Sequence, residues 1–235
     1  AKPARTAKAA QGAAAAPPIA AIALTPGTTP ATEIGYLDGG ATAFWVLCGD
    51  ASTLTRWRGE EGSSVDANAT DFARALDAID EDGTLEIGEG SGVAFEVGEC
   101  GGSIVWQLPD GVAVWAYGWG TGVDRSSPDV RSQLGARVAG LPTQGEPRHA
   151  GTVTITSGCL ALLVPFAAGC TAEQVEAVIA SGAPHHVDQQ RVLVPLSAGD
   201  YDILDERLAP PPAFQHADDL GRYRNRVRIV LRQAS

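Results

Sequence analysis

Two adjacent histidines, His185 and His186, with Asp188 close behind, first suggest chemistry, because imidazole and carboxylate are ordinary zinc ligands. Neighbouring side chains on an extended segment face opposite ways, so the pair needs a third ligand from elsewhere to hold an ion. A solvated loop is the favoured reading. His149 and His216 stand in loop-like sequence with no ligand pattern around them. Asp200, Asp202, Asp205 and Glu206 form the densest carboxylate group, yet they lack the glycine and the twelfth-position glutamate of a calcium loop. A solvated strand edge is favoured there.

The glycine-rich stretches 88–92 (GEGSG) and 118–122 (GWGTG) look like phosphate loops only in glycine content. Neither has the GxxxxGK[ST] lysine, and turn glycines are the better account. HExxH and GxSxG do not occur. Cys48, Cys100, Cys159 and Cys170 have no CxxC spacing, so buried free thiols are expected, with Cys48–Cys159 and Cys100–Cys170 bridges left open. The expectation is a chain with no catalytic residue, no metal and no cofactor.

Two sets of residues suit binding instead. Near the C-terminus Arg222, Arg224, Arg226, Arg228 and Arg232 alternate with Tyr223, Val227, Ile229 and Leu231, so one strand face carries guanidinium groups. Arginine forks pair bidentately with carboxylates. Two readings stay open: docking onto an acidic partner, or pairing with this chain's own acidic strand through Asp202 and Glu206. The second is preferred. Trp115, Tyr117 and Trp119 likewise form either an exposed aromatic patch suited to a protein interface or, with Trp106, part of a core covered on both faces.

The elements that must position these residues are mostly strands. Residues 84–118 hold four apolar runs in which Leu85 and Ile87, then Val93, Phe95 and Val97, then Ile104, Trp106 and Leu108 recur every second residue. With Pro109-Asp110-Gly111 as a tight turn, the spacing predicts one four-stranded antiparallel meander. Tyr36 to Gly40 predicts a turn, and Thr42 to Cys48 a buried strand. Phe72, Leu76 and Ile79 mark a helix capped by Asn68 or Thr70 and stopped at Gly83. A second helix opens on the capping box Thr171–Gln174 and closes at Gly182.

The runs at 192–196 and 201–204 read as a hairpin echoing the first one of the meander. Residues 120–151 connect the halves, with a short helix predicted near 130–138. The pattern strand, helix, hairpin, strand recurs after it, as an internal duplication would give. The divisions are an Ala/Pro-rich arm (1–33), a first β-rich half (34–122), a linker (123–151) and a second β-rich half (152–235).

Charge narrows the partners. Three basic residues fall in 1–8 and five arginines in 222–232, which leaves nine basic against 28 acidic side chains elsewhere. Such a body repels nucleic acid and anionic lipid and suits a basic protein, although acidity for solubility alone is an equal reading. No apolar run reaches the ~20 residues a membrane helix needs. Pro17-Pro18 interrupts the apolar stretch after Lys2, Arg5 and Lys8, so a cytoplasmic or assembly-surface location is expected over secretion by a cleaved signal peptide.

The body resembles the immunity protein 21 family of bacterial polymorphic toxin systems. The likeness is carried by Asp38-Gly39-Gly40, Trp57-Arg58-Gly59, Asp71-Phe72-Ala73-Arg74-Ala75, Gly88-Glu89-Gly90 leading into Val93-Ala94-Phe95, Trp106-Gln107-Leu108-Pro109 and Val112-Ala113-Val114-Trp115. Thr156-Ser157-Gly158 and Ala198-Gly199-Asp200-Tyr201 fit it more loosely. It covers roughly residues 34–232 and implies stoichiometric neutralisation of a toxin by binding. Ala41 and Cys159 depart from the family's pattern, and the arm has no counterpart in it.

The expected fold is α+β: mostly antiparallel sheets, two principal helices and two related halves. The expected function is non-catalytic binding to a protein, first as a structural or accessory subunit of a larger assembly, such as a virion or capsid-decorating protein, held through its arm. An oligomeric or assembly-bound state goes with that reading. The alternative is an immunity protein.

Overall fold

The computed structural model describes residues 32–38, 43–65, 68–79, 81–99, 102–109, 111–117, 143–208 and 225–232. Twelve strands are present among them: β1 (Thr32–Asp38), β2 (Ala43–Asp50), β3 (Thr84–Ile87), β4 (Gly90–Glu99), β5 (Gly102–Leu108), β6 (Gly111–Tyr117), β7 (Arg148–Ile155), β8 (Cys159–Leu163), β9 (His185–Asp188), β10 (Arg191–Pro195), β11 (Gly199–Arg207) and β12 (Asn225–Leu231). The described helices are α1 (Ala51–Leu54), α2 (Asp71–Ile79) and α3 (Ala172–Ser181), with a 3-10 turn at Gly59–Glu61. The helix predicted near 130–138 lies outside the described residues.

Every strand pair is antiparallel, in two six-stranded sheets. One sheet runs β1-β5-β6-β12-β11-β7 and the other β3-β4-β2-β8-β10-β9. When the chain is divided after β6, each sheet takes three strands from either side of the division. The order is then the same read inward from both edges: β3-β4-β2 answers β9-β10-β8, and β1-β5-β6 answers β7-β11-β12.

The four runs of 84–118 therefore do not form one meander. β3 and β4 are a hairpin in one sheet, and β5 and β6 are a hairpin in the other. β10 and β11 also part into different sheets, so they are no hairpin either. Alternation marks a strand but not the sheet it joins, because both sheets bury a period-2 face. Of the turn expected from Tyr36 to Gly40, Tyr36 to Asp38 is the end of β1, and residues 39–40 lie outside the described residues.

Apolar side chains of both sheets meet between them. Val46, Cys48, Val93 and Phe95 face Val105, Val114, Ile203, Val227 and Ile229. The other face of the β2-containing sheet packs beneath the helices, where Leu47, Ala161, Leu163 and Leu193 meet Leu54, Trp57, Ala75, Val175 and Val178. Cys48 belongs to the first cluster and Cys159 and Cys170 to the second, on opposite faces of one sheet. All three are buried free thiols, and burial pushes the Cys159 thiol up to about 12 and Cys170 to about 11. Cys100 lies outside the described residues.

Helix ends are local chemistry and fall where their caps place them. Thr70 Oγ1 accepts from Ala73 N at 3.2 Å, and Gly83 N donates to the Ala78 carbonyl at 2.8 Å. Thr171 and Gln174 form the reciprocal capping box of α3, and Gly182 closes it in the left-handed conformation at φ 62. α1, one turn long, adds to the two expected helices. No described helix is long and apolar enough to cross a membrane.

Candidate protein interface

Of the arginine face, Arg226, Arg228 and Arg232 lie among the described residues, and the first two turn to the same carboxylate. Arg226 Nε donates to Glu206 Oε2 at 2.6 Å and Arg228 Nη1 to Glu206 Oε1 at 3.3 Å. Glu206 is 2 % exposed and Arg226 6 %. Arg232 forks onto Asp202, with 3.0 Å from Nε to Oδ1. β12 lies beside β11, with Glu206 opposite Arg226 in register, so the arginines meet this chain's own acids. Arg222 and Arg224 lie outside the described residues.

The aromatic patch is not open surface at Trp115. That ring is 4 % exposed and stacks on Trp106 at 6.2 Å. Ile104, Val105 and Trp106 are all at most 1 % exposed, so β5 is buried on both faces, not on one. Tyr117 ends β6, while Trp119 lies outside the described residues.

The carboxylates of β11 are not a solvated edge, because β12 and β7 flank the strand on either side. Asp200 accepts from Thr154 Oγ1 at 2.7 Å, and Arg148 reaches Asp205 at 3.0 Å. The Arg232 fork, helped by His149 and Thr152 and opposed by slight burial, holds the Asp202 carboxyl down to about 2. Thr152, His149 and Asp202 adjoin one another, but both contacts of the imidazole use Nε2. A proton relay needs the two ring nitrogens to serve different partners, so this is no nucleophile–base–orienter arrangement.

The histidine pair is a strand, not a loop. His186 Nε2 donates to the Tyr36 carbonyl at 2.9 Å and its ring lies 4.8 Å from that of Tyr36, while His185 is exposed. Asp188 is held by Arg191. Among the described residues no three His, Cys, Asp or Glu side chains converge as a metal group would require. His216 lies outside them.

Charge is balanced within the β11–β12 sheet and unbalanced around the edge strand β3. From residue 75 to residue 124 the chain has no lysine, arginine or histidine. Asp77 on α2, Glu81 and Asp82 in the following turn, Glu86 on β3, Glu89 at the β3–β4 turn and Glu96 on β4 are all exposed. The basic groups beside them are few. Arg74 is committed to Asp71 Oδ1 at 2.8 Å and to the Glu86 carbonyl, and Arg56 lies against Gly88. The strand edge is itself blunted, since Asp82 Oδ1 accepts from Thr84 N at 2.9 Å while Arg74 occupies the Glu86 carbonyl. The rim thus offers side-chain charge more than backbone pairing. Charge reasoning from the sequence counted the basic termini and missed this base-free interval, which was there to be read.

Next to the rim is a cleft of about 320 Å³ between α1, the β3–β4 turn and the end of β7, lined by Asp50, Ser52, Thr53, Arg56, Glu89, Ser91, Thr154 and Thr156 among others. Asp50 is its buried floor, 3 % exposed. One carboxylate oxygen takes the Ser52 and Thr53 amides and the Ser52 hydroxyl, and the other takes the Thr156 and Ser157 amides and the Thr156 hydroxyl. Burial pushes this carboxyl up, but the donors from Ser157, Ser52 and Thr156 outweigh it and hold it below its ordinary value. Gly88 and Gly90 form the opposite wall, where a Cβ would stand 2.7 Å from Arg56 Nη1 and 2.7 Å from Thr53 Oγ1 respectively. These glycines make room for side chains. No phosphate cradle is built from their amides.

Of the stretches that carry the resemblance, those at 57–59 and 71–75 fasten this side of the molecule, while 106–108 and 112–115 lie on β5 and β6 of the other sheet. Trp57 Nε1 donates to the Pro165 carbonyl at 2.9 Å, and Glu60 N donates to that of Phe166 at 3.1 Å. Asp71, fully buried, accepts from Arg58 N, Ser64 N and Arg74. No protein-family model, curated protein or solved structure matches the chain.

Proposed function

We propose that this chain is a non-catalytic binding protein whose acidic rim, formed by α2, β3, β4 and the turns between them, docks a basic protein. The observation that carries the reading is the contrast between the two sheets. On one, Glu206, Asp202 and Asp205 each meet an arginine. Around β3 six exposed carboxylates stand in a part of the chain without a basic residue. Like charges held together raise the free energy of the unbound protein, and a cationic surface relieves this and is steered toward it. An immunity protein that masks a basic toxin fits the rim, and the resemblance to the immunity protein 21 family supports the same form. The doubled strand order favours two related halves, each a strand, strand, helix, hairpin, hairpin unit.

A second form is supported by the sequence of residues 1–33, whose alanine, proline and threonine content suits a tether: an accessory subunit of a larger assembly, held by that arm.

The test is photo-crosslinking in the native cell from a reactive residue placed at Glu86 or Glu89, with Leu231 as a remote exposed control. Adducts with a protein of high isoelectric point are expected from the rim positions. They should disappear in the charge reversal Asp77→Lys/Glu81→Lys/Asp82→Lys/Glu86→Lys. Adducts of equal yield from Leu231, or indifferent to the reversal, overturn the reading. Deleting residues 1–33 separates the two forms, because the assembly subunit loses incorporation and the immunity protein keeps its protection.

A further inference from the structure

Three of the five hydroxyls lining the cleft are committed in one direction. Ser52 Oγ and Thr156 Oγ1 donate to Asp50, and Thr154 Oγ1 donates to Asp200. A hydroxyl has a single proton, so each of the three presents only lone pairs to the cleft. A proton given to a carboxylate also makes the same oxygen a stronger acceptor for the next donor. Beneath them the Asp50 carboxylate is surrounded by neutral donors, with no cation among the described residues in hydrogen-bonding contact. Glu89 adds an exposed carboxylate, which has no hydrogen bond or ion pair among the described residues. Arg56 is the single base among the described lining residues, so there two formal negative charges stand against one positive.

We propose that this cleft receives the ammonium group of a lysine side chain presented by the basic partner. The partner's charge rests on the reading given above, while the cleft's chemistry stands on its own hydrogen bonds. Lysine is the choice over arginine because the acceptors over Asp50 are separate hydroxyl oxygens, which suit a compact group with three rotatable donors. A guanidinium fork needs a carboxylate edge; buried Asp50 has none left to offer, and exposed Glu89 at the mouth is the only one among the described lining residues.

The probe is the peptide acetyl-Gly-Lys-Gly-amide, titrated into the full-length ¹⁵N-labelled chain while the amide signals of Ser52, Thr53, Ser91 and Thr156 are followed. Saturable shifts in the millimolar range are expected, as for one exposed ammonium site. The version carrying acetyl-lysine should leave them unmoved. Glu89→Gln, an exposed change that leaves the Asp50 network intact, should weaken binding about threefold. Arg56→Gln should tighten it by about the same factor, because it removes the competing cation. Equal shifts from the acetylated peptide, or none that saturate, overturn the proposal. So does preference for a glutamate peptide that is lost in Arg56→Gln, which would make the cleft an anion site. Failure here with rim crosslinks intact removes the lysine pocket alone, and loss of the crosslinks removes the basic partner.

Discussion

Asp50 accepts donors from two distant parts of the chain, the start of α1 and the β7–β8 turn at Thr156 and Ser157. Asp50→Ala leaves several buried amides without an acceptor and is expected to cost about 3 kcal/mol, read as a lower urea midpoint with unchanged slope. The folded carboxyls of Asp50, Asp188 and Asp202 all sit below their ordinary values, Asp202 at about 2. Each therefore adds stability at neutral pH that is lost as pH falls through its folded value. The urea midpoint should stay level down to roughly pH 5 and decline from there toward pH 2, with a shallower decline in Asp202→Asn. A midpoint that rises on acidification contradicts the assignment. Glu206→Gln removes the charge facing buried Arg226 and should cost about 3 kcal/mol in the same assay. The Arg226–Glu206 pairing was among the sequence readings, because strand alternation put the arginines on one face. The Asp50 network was not, since its acceptor and the Ser157 amide are 107 residues apart and no local pattern joins them.

At the scale of elements, the segment from α1 to α2 is fastened to the loop after β8. A Cβ at Gly169 would stand 1.7 Å from the Leu54 carbonyl oxygen, and one at Gly59 would stand 2.2 Å from that of Phe166. Neither obstacle is a flexible side chain. Gly169→Ala is expected to destabilise by at least ~3 kcal/mol, or to leave the protein insoluble, whereas Trp57→Phe should cost only about 1–2 kcal/mol for the lost bond to Pro165. Thermal melts of the two variants check the ranking. Both long helices were legible because each cap bonds to a residue three or four positions away, which a short stretch of sequence shows. The partition of strands between sheets was not. Leu85, Phe95 and Ile104 follow the same alternation whichever sheet takes them, and only long-range contact decides.

For the whole molecule, β2 against β8 and β6 against β12 are the pairs that join the first six strands to the last six within the sheets. A fragment of residues 32–117 keeps three strands of each sheet and exposes β2 and β6 as edges. Because the strand orders of the two parts correspond, a second copy can supply what β8 and β12 did. The fragment is expected to be dimeric in light scattering, and a stable folded monomer contradicts this. The recurrence of strand, helix and hairpin was legible in the sequence, while the sharing of both sheets by the two parts was not, since the pattern says nothing about which edges meet.

Those matching edges differ in dress. β3 is ringed by Glu81, Asp82, Glu86 and Glu89, while its counterpart β9 carries His185 and His186, with Asp188 neutralised by Arg191. Of the two corresponding edge strands, only β3 thus keeps its carboxylates unneutralised. On the proposed docking the valency is one: calorimetric titration with the proposed basic partner is expected to end at a single molecule per chain, never two.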